Sequence, residues 1–362
     1  MNNLEFVIKL MRSALTNENF DINVDLKNKE LLMLLKEQTF LPMLYYVSKI
    51  DSLKPYYLSS CLFHEELNKI KKNIKSIFDH NQIDHIFLKG SSTKDLYENE
   101  NIRLLGDIDV LIKEKDLKNA INLLKEKGFK YGERCSHHVS FHYGRIEVEL
   151  HFAIIEKNIR ISKYLTKPFD NCYLIDNHTY QLNPEYNLVF VIAHYMKHLR
   201  GGSGLRNFCD IYLLINKYNI NLDNVRKIFK KYKYETFFDT LLTCLNIIFN
   251  YNKYPFTYNK SAEDLITYSL YSGIHGFGKK NNFIINIQQA HSNNKFVYLL
   301  KTLFVPVKQL FDFYPWTKSI ILIPFGYIAR FFHLIFKRRK QLKTVLNSKE
   351  SNNQLFKNIG LK

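Results

Sequence analysis

The chain has 362 residues, of which 46% are hydrophobic, so it can bury a core of ordinary size. With only 13 Gly and 8 Pro, it is neither a collagen-like chain nor one with a long flexible linker. The formal net charge of +18 would attract nucleotides, nucleic acid or an anionic membrane face. A lysine-rich composition inherited from an AT-rich genome would give the same charge.

The cysteines and the N-terminal sequence indicate the cellular location of the protein. Five cysteines are scattered without a CxxC pair or a regular spacing, which argues against a disulfide framework. The first residues, MNNLEFVIKLMRSAL, have no basic stretch ahead of an apolar one and no small-residue cleavage site, so we expect no signal peptide. We therefore expect a cytoplasmic protein.

The predicted elements begin with helices and change character near residue 80. Apolar residues recur three and four apart up to about residue 79. Two short strands are then predicted at 83–88 and 107–112, an amphipathic helix at 116–128, and a hairpin of two alternating segments around Gly144. Strand, helix, strand, helix and hairpin form a small unit containing both helices and strands.

Helical spacing returns after about residue 181. The predicted fold class is α+β, with a small mixed-sheet core flanked by largely helical regions. We predict a helical N-terminal region over 1–79, the core over 80–180, a helical C-terminal region over 181–345 and a flexible tail over 346–362.

Residues 296–340 are aromatic and basic. Their most apolar part is interrupted by Pro324, Arg330 and His333, which makes it a poor membrane span. The pattern favours a pair of core helices or an interfacial helix that touches an anionic surface.

Asp107 and Asp109 are the first candidates for chemistry. They lie two apart on a predicted strand, so both carboxylates project from the same face. Two acidic groups this close repel, and a hard divalent ion such as Mg²⁺ would relieve the repulsion. The alternative is that the pair caps a neighbouring helix or faces solvent.

A turn upstream of the aspartates contains Gly90 and Ser91. A glycine lets the backbone approach a ligand closely, and the helix beginning at Ser91 would offer its N-terminal amides to phosphate. Lys89 and Arg103 lie nearby and would offset triphosphate charge, although each is also explained as a solvated surface cation. Gly-Ser after a strand is by itself an ordinary turn.

The predicted hairpin supplies a third acidic group. Glu147, Glu149 and His151 alternate along one face of an otherwise apolar strand. Glu149 is a candidate third carboxylate that orients or deprotonates an attacking hydroxyl, and His151 is a candidate substrate contact. A solvent-facing sheet surface is the alternative.

At these positions the sequence resembles the nucleotidyltransferases of the DNA polymerase beta-type superfamily, and more closely a bacterial branch of uncharacterised nucleotidyltransferase family proteins. The matching segments are FLKGSSTKDLY (87–97), IRLLGDIDVLI (102–112), KGF (127–129) and VELHF (148–152). The resemblance implies transfer of a nucleoside monophosphate from a nucleoside triphosphate to an acceptor hydroxyl, with Mg²⁺ or Mn²⁺ held by Asp107, Asp109 and Glu149.

The resemblance continues into residues 194–214. The branch carries two histidines, a Gly-Leu-Arg and an aspartate there, and His194, His198, Arg206 and Asp210 stand in those places. The two histidines are four apart on one helix face, which suits structural hydrogen bonding, contact with nucleotide or acceptor, or a metal. We treat all four residues as possible substrate contacts.

Two other functions remain open at this stage. One is a catalytically degenerate fold that acts as a binding or antitoxin-like module. The other is a membrane-surface or nucleic-acid-binding protein, suggested by the charge. For a transferase, the acceptor would be a small molecule such as an antibiotic, a sugar, a peptide or protein side chain, or an RNA end.

Overall fold

The computed structural model describes residues 2–16, 24–156, 159–250, 259–274, 295–339 and 353–361, together with residues 18, 22 and 346. The described helices are α1 (Asn3–Leu15), α2 (Lys29–Glu37), α3 (Leu41–Ser48), α4 (Lys54–His80), α5 (Gly90–Thr93), α6 (Leu117–Glu126), α7 (Pro184–Leu199), α8 (Arg206–Tyr218), α9 (Leu222–Lys231), α10 (Glu235–Phe249), α11 (Lys260–Ser272), α12 (Lys295–Leu303), α13 (Val307–Phe313), α14 (Ile323–Lys337) and α15 (Asn353–Asn358). The strands are β1 (His85–Phe87), β2 (Asp107–Ile112), β3 (Lys130–Arg134), β4 (His138–Tyr143), β5 (Ile146–His151), β6 (Cys172–Asp176) and β7 (Thr179–Leu182).

The strands form one mixed sheet in the order β3-β4-β5-β2-β1-β7-β6. Central β2 pairs in parallel with β5 and antiparallel with β1. The fold is therefore α+β, as predicted. The expected strands, helix and hairpin are present as β1, β2, α6 and β4-β5, whereas the edge strands β3 and β6, and β7 next to β6, were not predicted.

One face of the sheet is covered by α4 and α6. On β2 the inward residues are Ile108, Val110 and Ile112, and they share a core with apolar residues of both helices. Because neighbouring residues on a strand point to opposite faces, Asp107 and Asp109 project from the other side. The packing of one face thus determines where the carboxylates lie.

Helices from both ends of the chain build a second, larger core. It joins residues of α1, α2 and α3 to residues of α7, α8, α10 and α11. In direct contacts, α1 meets α3 and α10, while α3 meets α4. The first helices of the predicted N-terminal region 1–79 therefore pack with helices of the predicted C-terminal region.

The end of the chain corrects the predicted flexible tail over 346–362. Residues 353–361 form α15 and a turn, and α15 contacts α11. Phe356, Ile359 and Leu361 are buried in the larger core. Apolar side chains at these positions dock the segment. Residues 251–258, 275–294 and 340–345 of the predicted helical region, and 347–352 of the predicted tail, lie outside the described residues.

Helices α12 and α13 each pack on α14 near the C-terminus. Among the described residues, the stretch Ile320–Lys337 alone has the length and composition of a membrane span, with a mean hydropathy of 1.6 and 17% of it buried. Length and composition by themselves are weak evidence of a span.

Candidate active site

Two parallel strands place the acidic residues side by side. In the register of β2 with β5, Asp107 lies opposite Glu147 and Asp109 lies opposite Glu149. Glu147 is exposed, whereas Glu149 is half-buried and Asp109 is buried. The strand geometry therefore brings Asp107, Asp109 and Glu149 onto one face, as the sequence predicted for the two aspartates.

The turn after β1 lies against the start of β2. The amide of Leu88 donates to the Asp109 carbonyl at 3.0 Å, and the amide of Asp109 donates to Ser91 Oγ at 3.3 Å. Lys89 has a φ of +47°, a positive value that side-chain-bearing residues rarely adopt. These contacts hold the turn, and with it the Lys89 side chain, next to the carboxylates.

Gly90 has a packing role that the sequence did not reveal. A Cβ at this position would lie 2.5 Å from Leu105 Cδ2 and 2.7 Å from Arg103 Nη1. Both distances are shorter than real Cβ contacts allow. A side chain at this position would therefore force the ends of the Leu105 and Arg103 side chains to shift. The role of Gly90 in close approach of phosphate stays a prediction.

Lys89 and His151 bind the carboxylates. Lys89 Nζ lies 2.6 Å from Asp109 Oδ1 and 3.6 Å from Glu149 Oε2. His151 Nε2 lies 2.8 Å from Asp109 Oδ1 and 3.0 Å from Glu149 Oε2. Since carboxylates accept hydrogen bonds, this nitrogen carries the proton. Asp109 and Glu149 thus share two cationic or hydrogen-donating partners.

The two aspartates have opposite electrostatic environments. The charge of Asp109, together with burial, raises the pKa of Asp107 to about 7. Burial would raise the pKa of Asp109 as well, but Lys89 and His151 hold it far below its ordinary value. In the described part of the chain Asp107 makes no hydrogen bond or ion pair. The charges of Lys89 and Arg206 lower the pKa of Asp107, but neither residue forms a direct ion pair with it.

Two groups of side chains here could hold a metal ion. Asp109, Glu149 and His151 each offer one ligand atom, and these atoms lie within 4.8 Å of one another. His137, His138 and His151 meet the same criterion. Carboxylate oxygens suit Mg²⁺ or Mn²⁺, whereas imidazole suits softer ions such as Zn²⁺. The acidic group, with Asp107 beside it, fits a hard divalent cation.

A pocket of about 650 Å³ opens above the carboxylates. Its floor is β2 and β5, and its opposite wall comes from α7 and the start of α8. His194 and His198 lie on this wall with their ring centroids 4.4 Å apart. Burial and the charge of Lys89 keep the pKa of His194 well below its ordinary value, so its imidazole is neutral. Arg206, also on the lining, donates through Nη1 to the Leu104 carbonyl at 2.6 Å.

Arg103 and Asp210 pair with each other at the side of the pocket. Arg103 donates from Nε and Nη2 to the two carboxylate oxygens of Asp210, at 2.8 and 2.7 Å. The Tyr97 hydroxyl donates to the same carboxylate at 2.7 Å. This buried network fastens the segment between β1 and β2 to α8, so both residues have an architectural role whatever else they contact.

A family model described as an uncharacterised nucleotidyltransferase matches residues 29–250, more than half of the chain. The chain belongs to this nucleotidyltransferase family. Membership supports a general nucleotidyl-transfer function. The matched residues include the whole pocket floor and both histidines of α7. No curated protein and no solved structure shows significant similarity to the chain.

In this nucleotidyltransferase family member the predicted site residues all meet in one place. The pocket is lined by Lys89, Gly90, Arg103, Asp107, Asp109, Glu149, His151, His194, His198, Arg206 and Asp210. Ser91 lies just behind it, hydrogen-bonded to Asp109. Their individual roles in binding or catalysis stay predictions.

Sequence reasoning missed a group of residues on β4 and the loops around it. His137 Nε2 lies 3.2 Å from His138 Nδ1, and His138 Nε2 lies 3.6 Å from Glu149 Oε1. In the hairpin register His138 pairs with His151. The signal was present, because counting equally outward from a two-residue turn at Gly144 and Arg145 places His138 opposite His151. Cys135 and Glu156 also line the pocket and were not predicted.

Proposed function

We propose that the protein transfers a nucleoside monophosphate from a nucleoside triphosphate to an acceptor hydroxyl, using Mg²⁺ or Mn²⁺ held by Asp107, Asp109 and Glu149. The observation that carries the proposal is Asp107, an acidic side chain that lies beside buried Asp109 and forms no ion pair among the described residues. A cation between the two would remove the repulsion. The proposed core is polymerase beta-like and the proposed location is the cytoplasm.

Lys89 has a specific part in this proposal. Its ammonium lies between Asp109 and Glu149, where it supplies the positive charge that these carboxylates need in the absence of a metal. When a divalent ion supplies that charge, Lys89 would be released and could bind the triphosphate. Arg206, on the opposite wall, would provide a second cation for the phosphates.

The reaction itself joins the acceptor oxygen to the α-phosphorus and breaks the bond from that phosphorus to the bridging oxygen, so that pyrophosphate leaves. A bound divalent ion would favour deprotonation of the acceptor and neutralise the leaving group. Glu149, half-buried and facing the pocket, would take the proton of the acceptor. His151 would hold Glu149 in place through its hydrogen bond.

The acceptor would enter along the wall formed by α7 and the histidines of β4. His194 and His198 are proposed contacts for the nucleotide or the acceptor, because they line the pocket opposite the carboxylates. A neutral imidazole can donate to a hydroxyl or a base without competing for the metal. The acceptor class, whether sugar, antibiotic, peptide, protein or RNA end, is left to experiment.

The experiment is incubation of purified protein with each α-labelled nucleoside triphosphate, Mg²⁺ or Mn²⁺, and a cell extract as the source of acceptor. Label should pass to one class of molecule and pyrophosphate should be released. Glu149→Gln should abolish labelling, whereas Glu147→Gln should not, because Glu147 lies on the same strand face but is exposed.

Labelling by both glutamine variants would show that Glu149 has no part in the reaction. No labelling by the wild type with any triphosphate, together with no metal binding, would favour the degenerate binding or antitoxin-like module instead.

A further inference from the structure

Helix α14 exposes a large apolar surface. Its outer face, together with the turn before it, is formed by Ile320, Ile321, Phe325, Ile328, Phe332, Ile335 and Phe336. Ile320 is 84% exposed, Ile321 79% and Phe336 75%. Contiguous apolar patches of this kind are rare on soluble monomers and mark interaction sites.

The opposite face of α14 is well packed, so this exposure does not come from a loose helix. Gly326, Arg330 and Leu334 lie four apart and are buried. Arg330 donates through Nε to the Thr302 carbonyl at 2.8 Å and lies over the Phe313 ring, 4.7 Å from its centroid. The inner face thus binds α12 and α13 and fixes the direction of the outer one.

Positive charge surrounds the outer face. Residues 296–340 contain eight lysines and arginines and one acidic residue. Lys318 precedes α14, and Lys337, Arg338 and Arg339 end it, all of them exposed. Trp316, the only tryptophan of the chain, is 51% exposed near Lys318. Tryptophan and basic residues beside an apolar face are typical of helices in a membrane interface.

We propose that the outer face of α14 binds the surface of an anionic membrane, with the helix lying in the plane of the interface. Spanning is disfavoured, because one face of the helix is packed against the rest of the protein, where Gly326, Arg330 and Leu334 are buried. Arg330 in the middle of the helix is also engaged with α12. The basic residues at both ends of α14 would bind lipid phosphates while the aromatic side chains enter the headgroup region.

The positive charge around the outer face of α14 favours an anionic membrane over a second copy of this chain as its binding partner. A dimer through the outer face would bring together two segments that each carry eight basic residues and one acid. The positive charges of the two segments would repel each other. An anionic lipid surface instead offers the opposite sign to both ends of the helix. The outer face shares no residue with the pocket, so the proposal does not depend on transferase activity.

Vesicle co-sedimentation of the full chain tests the proposal. The protein should pellet with vesicles of phosphatidylcholine and phosphatidylserine and stay in solution with phosphatidylcholine alone. Replacing Ile320, Ile321 and Phe332 together by serine should weaken binding at least about tenfold. The matched control replaces Leu58 and Leu62 of α4, 48% and 65% exposed, by serine and should bind as the wild type does.

A second variant leaves every apolar contact in place. Lys337→Glu, Arg338→Glu and Arg339→Glu together should weaken binding to the anionic vesicles by about a hundredfold, and raised salt should weaken wild-type binding. Circular dichroism and melting temperature check that each variant is folded. Failure of the wild type to bind anionic vesicles would overturn the proposal, as would unchanged binding by either variant. So would a dimer in sedimentation velocity, without vesicles, that the serine variant abolishes.

Discussion

Replacing Lys89 by methionine separates two effects of its charge. Methionine keeps much of the length of the side chain and removes the ammonium, which lies 2.6 Å from Asp109 Oδ1. Asp109 is 2% exposed and Lys89 is 20% exposed. Removing one partner of a buried ion pair costs about 3–5 kcal/mol. Because His151 still donates to Asp109 and Lys89 is partly solvated, we expect a loss of about 2–3 kcal/mol in the free energy of unfolding.

The same variant should bind metal more tightly. Lys89 competes with a divalent ion for Asp109 and Glu149, so its removal should raise the Mn²⁺ affinity by about tenfold, equivalent to about 1.4 kcal/mol. Urea unfolding in chelator measures the stability, and Mn²⁺ titration without nucleotide measures the affinity. Stability and metal affinity should therefore move in opposite directions.

A matched control is Lys69→Met. Lys69 pairs with Glu65 at 2.8 Å, almost the same distance, but the two side chains are 73% and 63% exposed. Solvent screens such a pair, so the urea midpoint should not change measurably. If Lys89→Met unfolds at the wild-type urea concentration and binds Mn²⁺ no more tightly, Lys89 does not hold the carboxylates and the reasoning is refuted.

The remaining predictions concern the neighbouring residues. In chelator, Asp107→Asn should unfold at a higher urea concentration than wild type, and its advantage should grow from about pH 4 to about pH 7, because the raised pKa of Asp107 makes its ionised form unfavourable in the folded state. Asp109→Asn should instead be less stable than wild type, since it loses its ion pair with Lys89. If Asp109→Asn were the more stable variant and Asp107→Asn the less stable one, the electrostatic surroundings assigned to the two aspartates would be wrong. Gly90→Ala should cost about 1–3 kcal/mol in urea unfolding because its Cβ meets packed side chains, so a neutral result would exclude that packing role. Asp210→Asn should cost about 3–5 kcal/mol by leaving the Arg103 guanidinium buried without its counter-ion, and a loss below about 1 kcal/mol would contradict the buried pairing.

The sequence was sufficient for the strands that carry the site. Alternation along 107–112 placed Asp107 and Asp109 on one face, and in the structure the other face packs against α4 and α6. The three strands that were missed lie at or near the edges of the sheet. Most residues of β3 and β6 are exposed, so neither strand shows the apolar alternation on which a prediction depends.

Contacts between residues distant in sequence could not be predicted. Nothing in the local pattern around Arg103 or Asp210 indicates that they pair, because 107 residues separate them. The packing at Gly90 has the same origin, since it depends on how the segment before β2 folds back over the turn. A single sequence shows which residues could be charged or bind a metal ion. Tertiary packing determines which residue pairs with each of them.

The most direct test of the central claim is calorimetric titration of a non-hydrolysable nucleoside triphosphate into the protein, with Mg²⁺ or Mn²⁺ and again with chelator. The account predicts binding only with the metal, because triphosphate and the carboxylates of Asp107, Asp109 and Glu149 repel without it. Asp107→Asn should lose most of this metal-dependent affinity. Equal affinity of the wild type with metal and with chelator would contradict the claim that these three residues hold a metal ion for the nucleotide.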